Sequence, residues 1–237
     1  MSLLNNATIV LFICHVLGDF QFQTQEMASM KTSSLVTFAK HLLIHALMLI
    51  LLPILLLGWS AFPKLWGLLL FVWLSHVVLD SLKYYLSGFE QLTEETLYIT
   101  DQSFHVLAIL FFSEYVFNTN LTLNMLSPDM LKWALLLLII SKPANITFKI
   151  TFQKYQFKTD SETIPGAGAV IGNLERILSA IFLAMNQIAA IGFIYTAKSI
   201  ARFKEIEDNK GFAEYYLIGT LFSILYVVVS YVIILLL

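Results

Sequence analysis

Charged residues are scarce in this chain. Asp, Glu, Lys and Arg make up 13% of its 237 residues, against about 25% in a typical soluble domain. Lysine and arginine together number 14 against 16 acids, a net charge of -2. No strongly basic block exists, which argues against nucleic acid as a partner. There is one cysteine, Cys14, which excludes an internal disulfide and any paired-cysteine metal knuckle. Set in an apolar stretch, it reads as a buried free thiol. The opening MSLLNNATIV lacks the basic segment of a secretory signal, and no small-residue cleavage site follows. The first apolar stretch is therefore expected to stay in place as a membrane helix. No repeat, low-complexity tract or soluble domain is evident.

What the chain has in quantity is apolar sequence: 58% of residues are hydrophobic and mean hydropathy is +0.78. A helix needs about 20 mostly apolar residues to cross the hydrocarbon. Stretches of that kind lie near 3–22, 36–58, 64–86, 97–117, 128–147, 168–198 and 214–237. The expected fold is all-α, a polytopic transmembrane bundle of about seven helices. Residues 1–125 would form a four-helix core and 126–237 a C-terminal membrane region of about three. Pro143 interrupts the fifth stretch, and 145–158, where lysines alternate with aromatics, reads as an interfacial amphipathic segment. The clearest linker is 159–170, punctuated by Pro165, Gly166 and Gly168.

Lysine placement predicts orientation. Lys31, Lys40 and Lys83 fall on one side of an alternating bundle and Lys64 on the other, which puts the N-terminus outside. The C-terminal half resists the rule. Lys142, Lys149, Lys154 and Lys158 precede the sixth stretch, and Lys198, Arg202, Lys204 and Lys210 follow it. Both sets can be cytoplasmic only if the fifth or sixth stretch is re-entrant.

All five histidines occur in i, i+4 pairs: His15 with Asp19, His41 with His45, His76 with Asp80, and His105 with Asp101. Residues four apart share a helix face, with Cβ atoms about 5–6 Å apart. Such a pair can hold one metal ion or bracket two. Imidazole and carboxylate together suit zinc, manganese or iron. The pairs lie near the end of the first helix, the start of the second, the end of the third and the start of the fourth. In an up-and-down bundle all four come to one side, the cytoplasmic side by the lysine bias. Ionisable groups in a membrane cost about 2.5–3.5 kcal/mol each at a helix centre. Four pairs at one depth therefore point to a metal site. Eight ligands exceed the four of one tetrahedral ion, which leaves room for two ions or for supporting partners.

Other polar residues extend the pattern. Lys83 follows His76 and Asp80 at i+7 and can meet a phosphate, although a lysine at a helix end also snorkels to the interface. Gln102 beside Asp101 can orient a ligand or bind substrate. Gln21, Gln23 and Gln25 read as the polar exit of the first helix. In the long sixth stretch, Arg176 can clamp an anionic head group and Glu175 can serve as general base. Asn186 and Gln187, near its middle, read as glue between helices.

With HVLGDFQFQT, KHLLIH, SHVVLDSLK and DQSFH, the first 125 or so residues resemble a bacterial inner-membrane family known as domain of unknown function 3307. They are similar, more loosely, to membrane-bound metal-dependent hydrolases. The resemblance implies a multi-pass protein of the bacterial inner membrane and names no reaction. The expected function is metal-dependent hydrolysis of a phosphoester or acyl bond, with catalytic parts for Lys83, Gln102, Glu175 and Arg176. The substrate would be lipid-linked or phosphate-bearing and the partner the bilayer itself. A divalent-metal transporter and a non-catalytic membrane protein are the alternatives.

Overall fold

The structure, a computed structural model, describes residues 4–30, 34–117, 126–157 and 166–237. Lys31, Lys158 and the first part of the 159–170 linker lie outside the described residues, as does the side chain of Gln25. The described residues are helical, with no strand among them. Five helices are long and apolar enough to cross a membrane: Leu35–Leu57, Trp59–Leu86, Pro128–Thr151, Ala167–Ala184 and Lys210–Leu236. Asn6–Gln21 and Ile188–Ala201 are shorter apolar helices. The stretch expected at 97–117 lies on a helix that carries Glu94, Glu95, Asp101 and Glu114, too polar to join the five. These helices make the chain a membrane protein. It divides into two compact units, Met1–Leu138 and Ile139–Leu237.

In the first unit, α1 (Asn6–Val16) packs against α3 (Leu35–Leu57) and α5 (Glu94–Leu110), while α4 (Phe62–Leu86) packs between α3 and α5. The short α2 (Gln25–Met30) leads into α3. Ala7, Ile9, Val10, Leu11, Ile13 and Cys14 of α1 are all buried, as expected of a helix apolar on every side. Cys14 donates to the Met48 carbonyl and has the inert role read from the sequence. Asn5, Ser34 and Thr93 cap α1, α3 and α5, each accepting from a backbone N–H three residues on. Gly58, at φ 82, ends α3 and turns the chain into α4.

The second unit contains two helix breaks. At Ser141 (φ -90, ψ -111) the apolar helix α6 (Pro128–Ile139) gives way to α7 (Lys142–Thr151). Pro143 sits in the first turn of α7, where its missing N–H leaves no bond unmade. The expected amphipathic segment 145–158 therefore begins inside a helix.

The second break corrects the sequence reading. Residues 168–198 form α8 (Ala167–Ala184) and α9 (Ile188–Ala201) in place of one long helix. Asn186 adopts a left-handed conformation at φ 55, which asparagine tolerates better than most residues. Lys198 Nζ lies 2.9 Å from Glu175 Oε2, and the Ser179 and Tyr195 hydroxyls are 3.4 Å apart. Those pairings run in opposite directions, so α8 and α9 are an antiparallel hairpin. Asn186 and Gln187 are its apex, not glue along a shaft. Asn145 pairs with Asn173, and Arg176 reaches Ile140, so α7 is also antiparallel to α8. Lys149 and Lys154 near the end of α7 thus share one end of this unit with Lys198 and Arg202 at the end of α9. Beyond them lie α10 (Phe203–Asp208) and α11 (Lys210–Tyr231).

Candidate metal centre

Four helices of the first unit each bring one polar pair to a single buried cluster. α1 runs on through a π turn, Leu17–Gln21, which carries Asp19. Such turns cluster at functional sites. His15 and Asp19 there meet His41 and His45 of α3, His76 and Asp80 of α4, and Asp101 and His105 of α5. All eight are at most 8% exposed. His41 Nε2 stands 3.0 Å from Asp80 Oδ2, 3.2 Å from His76 Nε2 and 3.5 Å from Asp19 Oδ1. His76 Nε2 is 3.4 Å from Asp80 Oδ2 and 3.6 Å from Asp19 Oδ1. The His45 and His76 rings stack at 3.6 Å between centroids.

Three overlapping sets have ligand atoms mutually within 4.8 Å. They are His15, Asp19, His45 and His76; His41, His76 and Asp80; and Asp80, Asp101 and His105. His76 and Asp80 each belong to two. Asp80 turns Oδ2 toward His41 and His76 and has Oδ1 4.0 Å from His105 Nε2.

The chemistry of the donors fits a metal ion. His45 is buried with neither ring nitrogen hydrogen-bonded, and His105 Nε2 is likewise without a hydrogen bond. Buried polar atoms left in that state cost free energy, and a coordinated cation removes the cost. His105 Nδ1 lies 2.8 Å from the Asp101 backbone carbonyl. A carbonyl only accepts, so Nδ1 carries the proton and Nε2 keeps its lone pair. Gln102 does the same for His15. Its Nε2 donates to Asp101 Oδ2 at 3.1 Å and Asp19 Oδ2 at 3.4 Å, which turns Oε1 toward His15 Nε2 at 3.3 Å. His15 Nε2 then donates, and Nδ1 is left as the ligand atom. Lys83 Nζ donates to Asp101 Oδ2 at 2.8 Å with its side chain 26% exposed. The lysine is therefore at the edge of the cluster.

Gly18 contributes by having no side chain. A Cβ there would lie 2.9 Å from His45 Cδ2 and 3.5 Å from its Cα. Gly18→Ala is expected to push the His45 ring aside and weaken metal binding about 10–100-fold, measured as a shift in the zinc titration midpoint. An unchanged midpoint would show that His45 is not a ligand. A glycine between two ligand positions in an apolar helix was the available sequence signal.

Glu175 and Arg176, by contrast, find their partners inside the second unit. Glu175 pairs with Lys198. Arg176 donates to the Ile140 and Ser141 carbonyls and to Asn145, Asn173 and Ser223. Gln21 and Gln23 lie at partly exposed positions at the end of the α1 turn and beyond it.

No curated protein and no solved structure matches the chain. A family match does exist, and it spans residues 7–134, the stretch that contains all eight clustered side chains together with Gly18, Lys83 and Gln102. The chain thus belongs to the family described as protein of unknown function (DUF3307).

Proposed function

We propose that the protein is a metal-dependent hydrolase of the bacterial inner membrane, acting on a phosphoester in an amphiphilic, lipid-linked substrate. The observation that carries this reading is the edge of the cluster, where Lys83 and Gln102 converge on Asp101 beside overlapping ligand sets that share His76 and Asp80. Charge supports it. Asp19, Asp80 and Asp101 bring three negative charges against one ammonium, so one divalent ion neutralises the cluster. A second makes it positive, the state that attracts a phosphate dianion. Divalent ions of this kind supply an acidified water and stabilise the charge that develops on phosphorus.

The chain's own residues do the rest. Asp80, with Oδ2 turned to His41 and His76 and Oδ1 toward His105, would help to hold metal in more than one of the ligand sets. Gln102 and the Asp101 carbonyl hold His15 and His105 in their ligand tautomers. Lys83 holds Asp101 through one oxygen and presents a partly exposed ammonium to the phosphate. The water oxygen bonds to phosphorus as the ester P–O bond breaks, and a proton passes to the leaving alkoxide. Arg176 and Glu175 take no part here and act as structural partners of the second unit.

Orientation follows from the lysines. Lys40 and Lys83 favour a cytoplasmic face for the centre and an outside N-terminus. The α8–α9 hairpin removes the conflict in the C-terminal half. Because the hairpin returns to its starting side, the basic residues before and after it can both be cytoplasmic.

The test uses the detergent-purified chain with phosphatidic acid in mixed micelles. One to two equivalents of metal are expected, with phosphate release abolished by a chelator and by Asp80→Asn. Lys83→Gln should raise KM with metal content retained. Less than one equivalent of metal, or no phosphate release from fully metallated protein, defeats the proposal. Metal flux in proteoliposomes would replace it with a transporter.

A further inference from the structure

The three ligand sets cannot all be filled at once. The set of His41, His76 and Asp80 takes His76 from one neighbouring set and Asp80 from the other. The two outer sets share no residue, so an ion can sit in each at the same time. His41 is then left between them, with Nε2 3.0 Å from Asp80 Oδ2 and 3.2 Å from His76 Nε2.

The outer sets differ in chemistry. One offers three imidazoles and a carboxylate, from His15, His45, His76 and Asp19. Four such donors complete a tetrahedron, the closed arrangement of a structural zinc. The other offers two carboxylates and one imidazole, from Asp80, Asp101 and His105. An oxygen-rich set suits a harder ion such as manganese, and three protein ligands leave coordination open to water or a substrate oxygen. Each set has its own buried atoms without a hydrogen bond. They are both ring nitrogens of His45 in the first, and His105 Nε2 and Asp101 Oδ1 in the second. Those side chains belong to residues only 1%, 3% and 7% exposed. A cation in one set alone would leave the orphaned atoms of the other unsatisfied.

The surroundings separate the two sets further. Lys83 places its ammonium 2.8 Å from Asp101 Oδ2, where its charge opposes a neighbouring cation. The oxygen-rich set is therefore the weaker holder, and it lies on the side where the Lys83 side chain meets solvent.

We infer that the centre is an asymmetric pair. A permanent zinc sits on His15, Asp19, His45 and His76, and an exchangeable ion of manganese type sits on Asp80, Asp101 and His105. The open coordination of the second ion takes a water and a phosphate oxygen, and His41 holds neither ion. This division rests on the metal-dependent reading above and goes beyond it by separating a closed ion that braces the helices from an open one that meets substrate.

The test uses the detergent-purified full chain, desalted into buffer without metal. Elemental mass spectrometry should find about one equivalent of zinc, the content of one closed site. Added manganese chloride should then bind at the second position, read as loss of the free-ion electron paramagnetic resonance signal. Bound manganese should also speed the relaxation of water protons, because its coordination is open. His45→Ala should lose the zinc. Asp101→Asn should keep it and raise the manganese dissociation constant at least about tenfold. If a variant does not fold, the wild-type stoichiometry and water relaxation still decide. A single ion in total, two zincs that resist desalting equally, manganese that leaves water relaxation unchanged, or loss of both ions alike in each variant overturns the division and leaves the metal reading standing. Failure to retain or bind either metal overturns both.

Discussion

His76→Ala is expected to empty the metal centre, not to weaken one corner of it. His76 belongs to two of the three ligand sets, stacks on His45 and has Nε2 3.2 Å from His41 Nε2. Its loss removes a ligand from two positions at once and leaves a void beside His45 that lets that ring move. Bound metal in the purified variant should fall to well under one equivalent per chain, read by elemental mass spectrometry. His41→Ala touches only one set and should spare the metal held by the others. Retention of full metal content by His76→Ala would sink the proposed ligand arrangement. Chelation of the wild-type protein carries a stability consequence with the same origin. A ligand present at a thousand times its dissociation constant stabilises the folded state by about 4 kcal/mol. Three buried carboxylates facing one lysine should therefore make the chelated protein unfold at a clearly lower temperature.

Arg176→Met should be the most destabilising substitution in the second unit. The Arg176 side chain is almost fully buried and donates to two backbone carbonyls at the break between α6 and α7, as well as to Asn145, Asn173 and Ser223. A helix end exposes carbonyls with no partner in the helix, and an apolar bilayer has no water to satisfy them. Each acceptor orphaned by the substitution costs about 1–3 kcal/mol, so a loss of about 2 kcal/mol or more is expected, the sum over the Ile140 carbonyl and the Asn145 side-chain oxygen. The Ser141 carbonyl keeps the Asn145 N–H as a donor. Arg176→Lys should rescue little, because one ammonium cannot reproduce the fork of the guanidinium. Arg202→Ala is the comparison: its pair with Glu205 is roughly half exposed, and such pairs contribute at most about 1 kcal/mol. Unfolding in detergent measures both, and a comparable loss for the two variants would rule out the account of the helix break.

The membrane character and the His/Asp pairs were legible because they depend on local spacing. Apolar runs of bilayer length and residues four apart on one helix face need no knowledge of what lies opposite. The same reasoning failed at 168–198, where an apolar run of uniform character conceals a turn. The sequence signal was slight: Asn186, one of the few residues that accept a left-handed backbone without a glycine. A lone buried arginine such as Arg176 looks alike in sequence whether it faces a ligand or the carbonyls of a broken helix.

The amino-acid sequence by itself determined that this chain enters a membrane and that eight His and Asp side chains would lie in pairs on four helix faces. Only the tertiary structure decided that the pairs merge into three overlapping ligand sets, that Lys83 and Gln102 join them through Asp101, and that α8 and α9 fold back on each other. The physical reason is range. Helical periodicity and hydropathy act over a few residues, whereas shared ligands and partnered carbonyls arise between segments tens of residues apart, such as Arg176 with Ile140 or His15 with Gln102.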